Sequence, residues 1–202
     1  MTERLQEIGQ VKLLQVQQSR LIVGERPNRY YDPTPLLTVE CLELDPEGVV
    51  GLTADGGRFL DVHHVRHPQS RYRGGNAVSI GFTSHYAALR ERFGPHLWDG
   101  CAGENIIVAT DRWIAPATIG ERLAIGNVAT GDLVYLSGLR PASPCVQFTQ
   151  FAAGRTPLEG AELQAALQFL DNGARGYYAS LAPGQRRAVV QPGDRVYRVE
   201  PA

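Results

Sequence analysis

Glycine and proline recur along the whole chain, 22 and 13 times in 202 residues, and cut it into short segments. Glycine weakens helix interiors and proline removes a backbone donor, so this punctuation disfavours long helices. It predicts short strands joined by turns. The strand candidates are Val11–Val16, Leu37–Leu44, Ala77–Ile80, Asn105–Val108, Arg122–Ile125, Asp132–Ser137, Arg187–Val190 and Asp194–Val199. Many carry Val and Ile, which suit a pleated, half-buried surface. Two segments keep helical spacing instead. Phe82–Phe93 places Phe82, Tyr86, Leu89 and Phe93 on one face, offers Thr83 or Ser84 as N-cap and stops at Gly94-Pro95. Later, Thr156-Pro157-Leu158-Glu159 forms a capping box with proline at the first helical position. Leu163, Leu167 and Leu170 follow as an apolar stripe, and Gly173 is the stop. The expectation is a mainly β single domain over 1–202, with a barrel-like core and peripheral helices. Asp45–Gly75, polar and rich in Gly and His, reads as one long functional loop.

Hydrophobic residues make up 43% of the chain, enough for a core, and the formal net charge is −1. That balance excludes broad electrostatic binding of nucleic acid. No apolar run approaches the roughly 20 residues of a membrane span. Met1–Gln6 lacks the apolar stretch of a signal peptide, which predicts a cytoplasmic protein. Cys41, Cys101 and Cys145 are odd in number and form no CxxC pair, against both a disulfide framework and a four-cysteine zinc site. Cys41 reads as a buried strand residue, and Cys101 is ambiguous. Lys12 is the only lysine, against nineteen arginines. Schiff-base chemistry needs a lysine amine, so pyridoxal phosphate has little support. Arginine instead suits bidentate recognition of phosphate or carboxylate.

Three constellations could carry chemistry. In Arg140-Pro141-Ala142-Ser143-Pro144-Cys145 the two prolines hold the chain extended or turned after a strand, with a thiol near a guanidinium. A thiolate there could bind a soft metal or carry sulfur; the alternative is a buried, inert cysteine. In Gly103-Glu104-Asn105, glycine frees backbone N–H groups to cradle an anion and Asn105 offers donor and acceptor to a heterocycle edge. The alternative is a tight turn with Glu104 in solvent. The third runs from Asp61 through His63, His64, Arg66 and His67 to Arg71, Arg73 and Gly75. His63 and His67 have metal-ligand spacing only on a helix, which Pro68 opposes, so an anion-binding loop with Arg66, Arg71 and Arg73 is favoured over a metal site. A solvated surface loop is the competing reading. No P-loop, GxGxxG or GxSxG motif is present.

Taken in order, Arg73-Gly74-Gly75-Asn76-Ala77-Val78, the Phe82–Phe93 helix, Gly103-Glu104-Asn105-Ile106, Ile119–Gly126, Arg140 to Pro144-Cys145 and Gly176-Tyr177-Tyr178…Pro192-Gly193-Asp194 resemble the MOSC domain family. That family is named after the C-terminal domain of molybdenum cofactor sulfurases, and the resemblance spans about residues 44–199. It implies a barrel related to that of pyruvate kinase and a function around molybdenum and activated sulfur. It implies Cys145 as catalytic thiolate and molybdenum ligand. Gly103, Glu104, Asn105, Arg140, Arg73, Arg71 and His67 would bind the molybdenum cofactor, a molybdopterin. An oxidoreductase of this kind reduces N-hydroxylated small molecules and needs an electron-donor protein. The alternative is a sulfur carrier holding a persulfide on Cys145, with a cysteine desulfurase as sulfur donor. The family's Gly-Asp-Arg-His is replaced here by Gly51–Arg58 followed by His63-His64.

Overall fold

The computed structural model describes residues 3–154 and 157–200. In chain order the elements are β1 (Arg4–Gln17), β2 (Ile22–Val23), β3 (Tyr30–Tyr31), β4 (Leu36–Thr38), β5 (Cys41–Asp45), β6 (Gly48–Leu52), β7 (Arg58–Leu60), β8 (Val78–Phe82), α1 (Thr83–Phe93), β9 (Ile106–Ala109), α2 (Pro116–Ile119), β10 (Arg122–Gly126), β11 (Leu133–Pro141), α3 (Val146–Ala153), α4 (Gly160–Asp171), β12 (Tyr177–Leu181), β13 (Ala188–Val190) and β14 (Arg195–Glu200).

Seven strands close a barrel in the order β1-β9-β8-β12-β11-β10-β14, with β14 pairing back onto β1. Closure leaves no unpaired edge, which solves the exposed-edge problem of short strands. β1 is long enough to serve three neighbours, its last residues Gln15–Gln17 pairing with β4. Arg4–Gln10 pair with β14 and Gln10–Leu14 with β9, and the strand bends at register shifts after Glu7 and after Val11. At the first bend a Cβ on Gly9 would lie 2.2 Å from the Ala109 carbonyl oxygen, so only glycine allows that approach. The one parallel barrel contact, β8 with β9, is bridged by α1 and the loop that follows it.

Strand alternation sorts the apolar residues. Ile106 and Val108 of β9 join Val11, Leu14, Val78, Ile80, Leu123, Leu136 and Val196 in the main core. Ile107, between them, faces a second cluster with Tyr31, Tyr86, Leu89, Cys101, Phe148 and Leu170, under the helices. A smaller sheet, β13-β5-β6-β7, feeds Leu42, Leu44, Val49 and Val190 into the main core.

The mainly β barrel agrees with expectation, but several elements differ. Asp45–Gly75 is not one loop, because β6 and β7 lie within it. Asp45 Oδ1 accepts from the N–H groups of Glu47 and Gly48 and builds the β5–β6 turn. Leu37–Leu44 divides into β4 and β5. α1 begins after Phe82 with no side-chain cap; the Thr83 hydroxyl donates to the Thr110 carbonyl at 2.9 Å instead. α4 begins at Gly160 rather than at Pro157, and Thr156 of the expected capping box lies outside the described residues. Leu170 of its stripe is buried, with Leu163 and Leu167 half-buried.

Candidate functional site

Cys145 is the N-cap of α3. The extended backbone from β11 through Pro144 brings it there, and Ala142 N–H donating to the Gly176 carbonyl fixes the approach. Its Sγ accepts from the Phe148 N–H at 3.5 Å, and the thiol is only half-buried. Of the other two cysteines, Cys101 is buried, whereas Cys41, expected to be buried, is half-buried like Cys145. Burial, then Glu104, pushes the fully enclosed Cys101 thiol up to about 12. Cys41, on β5, is raised by burial and by Glu43 and Glu40. Reactive thiols are partly exposed, and Cys101 is excluded on that ground.

Gly103 and Glu104 lie beneath this helix end, held by β1. Gln17 donates to the Gly103 carbonyl at 2.7 Å and Gln15 to the Glu104 carbonyl at 2.8 Å. Glu104 is buried rather than solvated, and its carboxylate accepts from the Tyr86 hydroxyl at 2.7 Å. Burial raises its pKa, against an opposing pull from Arg175.

Arg175 was not singled out in the sequence. It stands between Ala174 and Gly176, in a segment whose glycines announce only a turn into β12. Its guanidinium is buried, donates to the Ala102 carbonyl at 2.9 Å and lies 4.2 Å from the centre of the Phe148 ring. Its Nε has no partner. Burial disfavours the charge, but Tyr31, Glu104, Tyr178 and Cys145 lie close enough to raise the guanidinium pKa on balance. Arg175 therefore links the Gly103-Glu104 loop to the Cys145 helix end. Tyr31 completes the link: its hydroxyl donates to the Cys101 carbonyl at 2.8 Å and its ring packs 5.2 Å from Phe148.

Asn105 belongs to the interior. Its carbonyl oxygen accepts from Ser79 N–H and Oγ, and its amide donates to Asp61 at 2.8 Å and to the Gln15 carbonyl at 3.3 Å. This corrects the expectation that it offers a free edge to a heterocycle. Asp61 in turn binds His63 Nδ1 at 2.9 Å, and the His63 ring lies 6.3 Å from Tyr178. Tyr178 pairs with Arg140 across β11 and β12. His63 is thus the histidine brought toward the Arg140–Arg175 group. His67 is turned elsewhere, with Nε2 3.2 Å from the Gln18 carbonyl and Nδ1 accepting from Gln69 N–H. Arg140 reaches from β11 to the Gly74 carbonyl at 3.1 Å and so meets the loop carrying Arg71 and Arg73. Arg66 is paired with Glu47 at 2.6 Å.

Asp45, Glu47 and His64 bring one ligand atom each within 4.8 Å of one another. His64 Nδ1, however, accepts from the Arg66 N–H at 3.1 Å, so the neutral ring carries its proton on Nε2, 3.7 Å from Asp45. A protonated Nε2 has no lone pair for a metal.

The closed seven-strand barrel with few helices is the fold of a MOSC-type domain. The MOSC domain family matches residues 63–197, and the chain belongs to it. It is a domain of the kind found in molybdenum cofactor sulfurases. The YUAD protein from Bacillus subtilis shares the fold, with a TM-score of 0.59, 13% identity and 97% of each chain covered. No curated protein matches the chain. No helix among the described residues is long and apolar enough to cross a membrane.

Proposed function

We propose that the protein binds the molybdenum cofactor with Cys145 as thiolate ligand and reduces N-hydroxylated small molecules. The observation that carries this reading is the position of Cys145: a half-buried thiol at the start of α3, beside Arg175 and five residues beyond Arg140 at the end of β11. The donor set fits the group. A thiolate is a soft ligand for molybdenum, and guanidinium groups suit the cofactor's phosphate. The unpartnered Nε of buried Arg175 offers a further donor.

Bound there, the cofactor would supply the two-electron redox chemistry. The chain would do the rest. Arg140 and Arg73 would hold the phosphate beside Gly74, where Arg140 already donates to the backbone. Phe148 N–H would orient the sulfur. Asp61 fixes the His63 ring, whose Nδ1 it engages, so His63 can pass a proton at Nε2. The net reaction consumes two electrons and two protons, breaks the N–O bond and releases water. The electrons would come from a separate electron-donor protein.

The test is expression in a host that makes the cofactor, with metal analysis of wild type, Cys145→Ala and Cys101→Ala. Near-stoichiometric molybdenum in wild type and Cys101→Ala, lost from Cys145→Ala, is the expected result. Absence of molybdenum, together with cyanide-releasable sulfur in wild type and not in Cys145→Ala, would replace it with a sulfur-carrier role supplied by a cysteine desulfurase.

A further inference from the structure

A groove of about 590 Å³ runs between α1 and α4, on residues that the Cys145 site does not use. Its α4 wall follows from helical spacing. Ala165, Gln168, Phe169 and Asn172 share one face of the C-terminal half of that helix. The α1 wall follows likewise, since His85 and Arg92 are seven residues apart and lie on one face of α1. Trp113, from the loop after β9, closes the third side. Its ring lies 4.2 Å from the His85 imidazole, tilted by 35°. Ile114 N–H donates to His85 Nε2 at 3.2 Å, which pins the loop to α1. His85 thus covers one face of the indole, and Trp113 still keeps 38% of its surface exposed.

Two opposite charges line this groove without pairing. The Arg92 guanidinium rests 4.7 Å from the centre of the Phe169 ring and 5.5 Å from that of Phe93, so two rings hold it in place. No carboxylate lies within 4.0 Å of it among the described residues. Asp171, the last residue of α4, lines the same groove. A helix C-terminus is the negative end of its dipole, and its last carbonyls lack intrahelical donors. The last turn of α4 carries no basic side chain to offset either. The groove therefore offers a fixed cation, an anion backed by a helix end, and apolar surface from Trp113, Phe169 and Ala165. A simple anion would face Asp171 and a simple cation would face Arg92, whereas a zwitterion complements both. Cavities of about 300–1,000 Å³ suit small molecules. We propose that the groove binds a free α-amino acid with an apolar side chain. Its carboxylate would sit on Arg92, its ammonium on Asp171 and the α4 C-terminus, and its side chain against Trp113. The site lies outside the cofactor reading and does not depend on it.

The test follows tryptophan fluorescence in the Trp98→Phe protein, where Trp113 is the only indole, and repeats each titration by calorimetry on wild type. L-Leucine is the probe. L-Leucinamide, which lacks the carboxylate, and N-acetyl-L-leucine, which lacks the ammonium, are the single-charge analogues. L-Leucine should bind saturably, and each analogue should bind about tenfold or more weakly, the scale of one charge-assisted contact. Arg92→Gln should weaken L-leucine by a similar factor and leave leucinamide unchanged. Asp171→Asn should weaken L-leucine and leave N-acetyl-leucine unchanged, because each variant removes a contact that its analogue never makes. Both side chains are exposed, so thermal unfolding of the variants should match wild type. Equal affinity for L-leucine and either analogue overturns the zwitterion assignment. Absence of saturable L-leucine binding by both methods at millimolar concentrations overturns the site.

Discussion

Asn105 has no hydrogen-bonding capacity left for a ligand, and this fixes its energetic role. Its side chain satisfies Ser79, Asp61 and the Gln15 carbonyl in a region without water access. Truncation strands those partners, and each buried unsatisfied group costs about 1–3 kcal/mol. Asn105→Ala should therefore lower the unfolding free energy by about 3 kcal/mol in urea titrations. A midpoint unchanged from wild type would show that the network contributes nothing. The motif containing Asn105 was visible in the sequence; its direction was not. Its partners lie 26, 44 and 90 residues away, and no local pattern reveals side chains that meet only when the barrel closes. Arg175 was missed for the same reason, since nothing adjacent shows that Glu104 and Phe148 will enclose it.

Elements with strong local signals were readable, and those that depend on neighbours were not. The β9 and β10 segments are short unbroken apolar runs rich in Ile, Leu and Val, and lie where expected. β6 did not stand out because Gly48 and Gly51 interrupt it, and Gly51 is there because a Cβ would meet Val39 and Val16 side chains within 3 Å. β12 follows Gly176, whose backbone has φ +81° and whose added Cβ would lie 2.4 Å from the Ile80 carbonyl oxygen. Gly176→Ala should weaken the β12–β8 pairing and destabilise the protein by more than about 2 kcal/mol, through strained backbone and the contact together. Gly184 has nearly the same φ, +80°, and open space around it. Gly184→Ala should cost only the backbone part, about 1 kcal/mol. Equal losses in chemical denaturation would show that the approach of Gly176 to β8 carries no penalty of its own.

At the scale of the whole molecule, two buried groups set how stability follows pH, and they act in opposite directions. Burial depresses His85 from the ordinary 6.5 to about 4. The unfolded chain therefore takes up a proton that the folded one refuses. This contribution is complete above pH 6.5 and is lost as pH falls toward 4. A shift of that size corresponds to about 3 kcal/mol. Glu104 is raised by burial, so the folded state holds its proton more tightly than the unfolded chain does. Its contribution is present below the ordinary carboxyl value of 4.5 and is lost as pH rises through the folded value. Urea midpoints taken from pH 7.5 down to pH 4 should separate the two. The margin of wild type over His85→Asn should narrow as pH falls from 6.5, because the asparagine does not titrate. The margin of wild type over Glu104→Gln should narrow as pH rises above 4.5, because the amide carries no charge to bury. A pH-independent margin for either variant would mean that water or a counter-charge reaches a group that the fold otherwise encloses.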